Sequence, residues 1–323
     1  MSEAGDWRPR ASREALVLRA GMLATLRQFF ANRAVLEVET PLAVGHAISD
    51  PQLASARVLL PGRSAPLHLH TSPEFAMKRL LAAGYGDIYQ VCHVFRGDEA
   101  GALHAAEFTL LEWYRIGWSM DRLIDEVDAL LRELLPQPLP PSKRPSYQEV
   151  LRQHAGCDAL TDSDTQLMDC AVSLGFDATL LRSLDRDGIL DLLMGLHVGP
   201  RLGLSGPCYV QRFPASQASL ARLDPEDSRV ALRFELYLQG VELANGFEEL
   251  ADATEQRARF MNDRLTRRDR DLPDAEPDER LLAALTHGLP ACSGVAMGFD
   301  RLVMQAAGTR RIEEVLSFLP GEA

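Results

Sequence analysis

Residues 232–250, LRFELYLQGVELANGFEEL, alternate apolar and polar side chains on both sides of Gln239–Gly240. Alternation is the two-residue period of a half-buried strand, and a glycine-bearing dipeptide between two such runs signals a hairpin. Phe234, Leu236 and Leu238 take one face, Glu235 and Tyr237 the other. A two-residue turn sets Tyr237 opposite Glu242, with Glu235 diagonal to Glu242 at about 7–8 Å between backbones. Two carboxylates at that spacing converge on one hard cation, and carboxylates plus substrate phosphates are the usual setting of Mg²⁺. Further along, Asn245, Phe247 and Glu249 share a face. Glu248 reads as a solvated charge, whereas Glu235, Glu242 and Glu249 stand among apolar residues, where solvation is a poor account of them.

A second pair of strands follows from the same period. Residues 88–96 form one and 107–115 the other, joined by a glycine-containing loop with Asp98, Glu99 and His104. On the second strand Phe108, Leu110, Glu112 and Tyr114 share a face, and Glu107, Thr109, Leu111 and Trp113 the opposite one. An aromatic plate, a carboxylate and a phenol beside Arg96 make a ligand surface, although this stretch alone equally fits a hairpin with solvated charges.

CSGVAMGFDRLVM, residues 292–304, reads as strand, turn and helix. Gly294 and Gly298 permit close backbone approach, Asp300 is positioned to cap the helix, and Arg301 opens it. A helix N-terminus carrying an arginine suits phosphate oxygens. Two arginines, a metal-spaced glutamate pair and an aromatic plate together point to a nucleoside triphosphate.

The remaining chain supplies helices. Leu16, Leu23, Leu26 and Phe30 mark a helix over 13–34, followed by VLEVETP as a strand ending at Pro41. PLHLHT leads through Ser72, Pro73 and Glu74 into a helix, and Ser119 caps another reaching Leu135. PQPLPPSKRP, residues 136–145, predicts a stiff linker before short helices inserted over about 146–205. RLTRRDR, 264–270, predicts a solvated face of a charged helix. Long antiparallel strands mixed with helices, without regular strand–helix alternation, define an α+β fold, here one domain over 1–323.

At 46% apolar and 25% charged residues the chain is an ordinary globular composition, and no apolar run approaches the length of a membrane span. Its start lacks the apolar core of a signal peptide, which predicts a cytoplasmic protein. Five scattered cysteines without a Cys-x-x-Cys pair argue against a disulfide framework or a zinc site. A net charge of −12 disfavours a non-specific nucleic-acid binder.

In order along the chain, VLEVETP, TSPEFAMKRL, FRGDEAGALHAAEFTLLEWY, FPASQASLAR, VELANGFEEL and GVAMGFDR resemble segments of class II aminoacyl-tRNA synthetases of the lysyl type. The resemblance spans about residues 13–318. It implies an antiparallel sheet flanked by helices, and a homodimer built on VLEVETP. It further implies that Arg96 grips the α-phosphate and the substrate carboxylate, Arg301 the γ-phosphate, and that Phe108 stacks under adenine. Asp98, Glu99, His104, Leu243 and Gly298 complete the implied ATP site, and Glu235 and Glu242 hold Mg²⁺. Ser72, Pro73, Glu74, Glu112, Tyr114, Asn245, Phe247, Glu249 and Ala296 would surround a lysine-like substrate.

Three departures from the lysyl enzymes are visible. The catalytic segments begin almost at residue 1, and the expectation is a chain without the anticodon-binding domain of the lysyl enzymes. Ser72 and Ala296 match instead the shortened paralogues known as the GenX or PoxA ligases, which attach (R)-β-lysine to elongation factor P. An added hydroxyl and methyl would crowd α-lysine. Asp98 replaces a glutamate of the motif and HAAEF replaces HNPEF, so that Ala105 removes a polar contact near the nucleotide. The expectation is an ATP- and Mg²⁺-dependent ligase acting on β-lysine and elongation factor P, with no tRNA or membrane partner. The alternatives are a minimal tRNA-charging enzyme and a non-catalytic regulatory paralogue.

Overall fold

In the computed structural model, residues 7–97 and 101–322 are described. Helix α1 (Arg13–Ala31) is capped by Ser12, whose Oγ accepts from Ala15 N. The chain then forms β1 (Leu36–Glu37), three short strands β2 (Ala43–Val44), β3 (Arg57–Val58) and β4 (Leu67–Leu69), and helix α2 (Glu74–Ala82). The long pair β5 (Ile88–Phe95) and β6 (Glu107–Ile116) leads to α3 (Met120–Leu134). Four short helices follow: α4 (Tyr147–His154), α5 (Asp164–Ser173), α6 (Ala178–Leu181) and α7 (Arg186–Leu192). The rest comprises β7 (Cys208–Pro214), β8 (Val230–Leu238), β9 (Val241–Glu248), α8 (Ala253–Asp269), α9 (Glu279–Gly288), β10 (Cys292–Gly298) and α10 (Phe299–Ala307).

Seven strands form one sheet in the order β1-β5-β6-β10-β9-β8-β7, and β2-β4-β3 form a small second sheet. All pairings of the large sheet are antiparallel except β1 with β5. The fold is α+β, a mixed sheet flanked by helices. VLEVETP contributes only two ladder residues before the chain turns away, with Val38 N adding one bond to Tyr89 O, so the strand expected up to Pro41 is mostly irregular.

One face of the sheet is largely apolar, with Thr109, Arg115 and Ser293 as its buried polar exceptions. Leu111, Trp113, Leu236, Val295 and Met297 pack there against Leu26 and Phe30 of α1, Leu123 and Val127 of α3, and Leu302 and Val303 of α10. The helical insertion has its own core of Leu151, Leu167, Leu190 and Val198, sealed against Val210 and Phe213 of β7. Burial on this scale, at about 25 cal/mol per Å² of apolar surface, is what holds the layers together.

Three expectations need correction. The proline-rich stretch is not a free spacer: Lys143 N bonds Pro207 O, and Tyr209 N and Gln211 N bond Lys143 O and Pro145 O, so it docks along the edge of β7. Unpaired edge N–H and C=O groups provide the reason. Within RLTRRDR, Arg267 is buried, its guanidinium satisfying the carbonyls of Pro273, Asp50 and Leu53. Asp300 does not cap α10, whose N-cap is Gly298. Lying inside the helix, Asp300 is buried and accepts from Thr109 N at 2.7 Å while pairing with Arg19, tying α10 to β6 and α1.

Candidate active site

The opposite face of the sheet carries the candidate site residues. Register places Glu112 opposite both Gln90 of β5 and Ala296 of β10, Ala296 opposite Asn245, and Asn245 opposite Glu235. Gly294 joins Tyr114 to Phe247 one step along. The turn at Gln239–Gly240 has φ of 52° and 75°, the left-handed pair a two-residue hairpin requires, and Tyr237 lies opposite Glu242.

The ladder does not continue regularly from there. Its next pair is Leu236 with Ala244, so Leu243 is an extra residue, a β-bulge. Leu243 and Ala244 both enter the main core. The bulge therefore brings Glu242 onto the same face as Asn245 and Phe247, which unbroken alternation would have set on opposite sides. It also keeps the Leu243 side chain out of the candidate nucleotide site.

At one end of this face three carboxylates converge. Glu112 accepts from Ser72 Oγ at 2.6 Å and from Tyr114 Oη at 2.7 Å, and Ser72 Oγ also accepts from Glu74 N at 3.0 Å. Lys78, on α2 and 1% exposed, pairs with Glu74 at 2.7 Å and with Glu249 at 2.6 Å. Burial, then the charge of Glu74, pushes the Glu112 carboxyl up to about 8. Burial also raises Glu249, to about 7, although Lys78 holds it down. When all three carboxyls ionise the pocket has more negative charge than its own lysine balances, so that ammonium groups, which favour ionisation, are the ligands it prefers. Gln90 adds a buried carbonyl oxygen that accepts no hydrogen bond. Gly294 is obligatory here: a Cβ would stand 2.6 Å from Glu249 Oε1 and closer still to the Tyr114 ring.

The other end gathers arginines and the second carboxylate pair. Arg301 donates to Glu242 O at 2.9 Å and to Leu103 O at 3.2 Å. The Arg96 guanidinium lies 5.1 Å from the Phe108 ring centroid, within cation–π range. Burial and then Glu235 push the Glu242 carboxyl up to about 7, against the pull of Arg301 and Arg96. Glu235 takes hydrogen bonds from Arg233 at 2.6 Å and Tyr237 Oη at 2.7 Å, leaving lone pairs for a further partner. Two mutually repelling carboxylates fit a hard divalent cation that completes its shell with water and phosphate oxygens. Among the described residues no cluster of three or more metal-ligating side chains occurs, so such an ion would depend on those other ligands.

Most of the residues singled out in the sequence meet on this one face. Asp98 and Glu99 lie outside the described residues. His104 is half-buried in the loop between β5 and β6, and Ala105 is packed in the main core. Glu248 is not simply solvated, since its Oε1 accepts from Met120 N at the start of α3. Sequence reasoning missed Lys78, Gln90 and Arg233. Glu74, Met77, Lys78 and Leu81 do follow the i, i+3, i+4, i+7 pattern of one buried helix face, so the signal for Lys78 was present. Arg233 shares the alternation of Glu235 and donates to Asn245 Oδ1 and Gln217 O as well.

The family model of class II tRNA synthetases (D, K and N) matches residues 3–320. The chain belongs to the class II tRNA synthetase family. Within it, the elongation factor P–(R)-β-lysine ligase of Klebsiella pneumoniae (strain 342) is 48% identical over 322 residues, 98% of each chain. The ligase of the same name from Pectobacterium carotovorum subsp. carotovorum (strain PC1) is 46% identical over the same length. Membership and these relatives make the chain a class II synthetase-like ligase. Among the described residues no helix is long and apolar enough to cross a membrane.

Proposed function

We propose that this class II ligase activates (R)-β-lysine with ATP and transfers it to a lysine side chain of elongation factor P. The observation that carries the reading is the single sheet face on which a carboxylate-rich amine pocket adjoins an arginine-rich end. A diamino acid fits the first with two ammonium groups and directs its carboxylate towards Arg96. ATP fits the second, with adenine against Phe108 and phosphates near Arg96 and Arg301.

In the first step a substrate carboxylate oxygen attacks the α-phosphorus, an oxygen–phosphorus bond forms, and the bond to pyrophosphate breaks. Arg96 and Arg301 offset the charge that develops on the phosphates, and orientation on a rigid sheet supplies the proximity. Mg²⁺ held by Glu235 and Glu242 would add charge neutralisation at the phosphates. In the second step a neutral acceptor lysine amine attacks the acyl carbonyl, the carbon–oxygen bond to AMP breaks so that AMP leaves with the anhydride oxygen, and the nitrogen gives up one proton to solvent as the amide forms. Ser72 and Ala296 flank Glu112 and narrow the pocket where an α-amino group would sit, which favours an amine displaced by one carbon.

The test is incubation with ATP, (R)-β-lysine and elongation factor P, followed by mass spectrometry of the factor. One added β-lysyl mass, with bulk tRNA left unacylated, is the expected result. An unmodified factor together with acid-precipitable lysyl-tRNA would reverse the reading in favour of a tRNA-charging enzyme.

A further inference from the structure

Lys78 is a residue the proposed reaction does not use. It is a lysine with its Nζ fully enclosed, in a pocket shaped for foreign ammonium groups. Its Nζ binds Glu74 of its own helix and Glu249 just beyond β9, at 2.7 and 2.6 Å. Isolated burial would drive a lysine to lose its proton, but the two carboxylates overcome that and raise it above the ordinary value. The ammonium is therefore a permanent part of the pocket.

The charges can be counted. Glu74, Glu112 and Glu249 carry three negative charges when ionised, and Lys78 cancels one. Two remain, which equals the number of ammonium groups on a diamino acid. We propose that Lys78 is the positioning residue of the amine pocket: it locks Glu74 and Glu249 in place and balances only one of the three carboxyls, leaving two to ionise as ammonium groups bind, so that the pocket selects substrates with two ammonium groups. The inference deepens the reading of the substrate as β-lysine and rests on it for the identity of the diamino acid.

Other groups facing this cluster do not disturb the count. Tyr114 on β6 is raised well above its ordinary value by burial and by Glu112. Cys92 on β5, facing Glu112, is pushed up to about 12 by burial, and Cys292 on β10, facing Glu249, is also raised. All three stay neutral at physiological pH. Without Lys78, Glu249 would face the charge of Glu74 unopposed, its carboxyl would hold its proton to higher pH, and the substrate would have to displace that proton.

The experiment is Lys78→Met, which keeps the side-chain length and removes the charge, assayed by amino-acid-dependent pyrophosphate exchange from about pH 6 to 9.5. The expected result is a KM for β-lysine raised about tenfold or more at pH 7, while kcat and the KM for ATP stay within about threefold. The acid limb of kcat/KM should also move up by about one pH unit. In Lys78→Ala, added propylammonium should lower the KM and propanol should not. An unmoved KM and pH profile would overturn the proposal. So would a uniform loss of kcat at every pH, the mark of a merely structural role. Should neither variant fold, NMR of the wild-type lysine ammonium groups decides: one should remain protonated above the ordinary lysine pKa of about 10.4, and a deprotonated Lys78 at neutral pH refutes the idea. Wild-type assays with β-lysine, α-lysine and 6-aminohexanoate separate the two readings. Use of α-lysine alone removes the β-lysine assignment and leaves Lys78 testable with α-lysine. Equal use of the one-amine 6-aminohexanoate removes the charge count itself.

Discussion

Gly294→Ala is the substitution whose consequence the geometry specifies most closely. The new methyl would stand 2.6 Å from Glu249 Oε1 and nearer to the edge of the Tyr114 ring, so these groups must retreat by about 1 Å or more to reach ordinary contact. The Tyr114 ring cannot yield freely, because it is buried among Met77, Ile88 and Phe260. β10 cannot yield either, since it is paired on both sides, to β6 and β9. Overpacking of this kind costs about 1–3 kcal/mol of fold stability. The retreat also breaks the 2.7 Å hydrogen bond from Tyr114 to Glu112, a bond to a charged group contributing about 1.5–3 kcal/mol. Realised in substrate binding, that corresponds to a KM for the amino acid raised roughly tenfold to a hundredfold. The assay is pyrophosphate exchange with β-lysine varied at saturating ATP, then the reverse, with a thermal melt alongside. The KM for ATP should move by less than about threefold, because Arg301 and Phe108 lie at the other end of the face. A Gly294→Ala enzyme with an unchanged amino-acid KM would show that the amine pocket is not here, and an equal rise in both constants would mean that the two ends are not separable.

Arg301→Ala should abolish exchange while leaving the melting temperature within a few degrees, since Arg301 packs on carbonyls that water can satisfy; near-normal exchange would remove it from the phosphate site. Ala296→Gly should relieve crowding next to Glu112 and raise α-lysine use relative to β-lysine by roughly tenfold, and an unchanged ratio of kcat/KM values would contradict the pocket reading. With Glu112 raised to about 8 and Glu249 to about 7, both hold protons in the empty pocket as pH falls, so kcat/KM for the diamino acid should decline below about pH 7–8. The same raised values mean that the folded empty protein binds more protons than the unfolded chain between about pH 5 and 8, so these groups favour folding at the acid end of that window and lose that contribution as pH rises. Glu112→Gln should accordingly stabilise the empty protein more at pH 8.5 than at pH 6 by thermal melt; a difference of the opposite sign would refute the assignment. The short β1 and the exposed Leu36 and Leu42 around VLEVETP predict a two-fold dimer there, which light scattering at micromolar concentration will test.

Local chemistry wrote much of this protein openly into its sequence. Two-residue alternation marked β5, β6, β8 and β9, because a strand with one wet and one dry face must alternate. Gln239–Gly240 announced its own turn, because few residues tolerate two consecutive positive φ values. Ser119 announced a helix start through an oxygen that satisfies an orphan N–H group. Ordered motifs named most of the candidate residues before any contact was known. Tertiary structure alone decided the rest. The bulge at Leu243 depends on how two side chains of β9 fit the core opposite Leu236, a packing choice with no local signature. Asp300 looked like a cap and became a tie between three elements, because Arg19 and Thr109 come from distant parts of the chain. The surplus charge of the amine pocket arises only when α2, β6 and the end of β9 are brought within hydrogen-bond reach. Lys78 and Glu74 are one helical turn apart in sequence, but Glu249 is 171 positions from Lys78, and no periodicity reaches that far. What residues do over a few positions follows from their own geometry; what a pocket does follows from which strands the core allows to be neighbours.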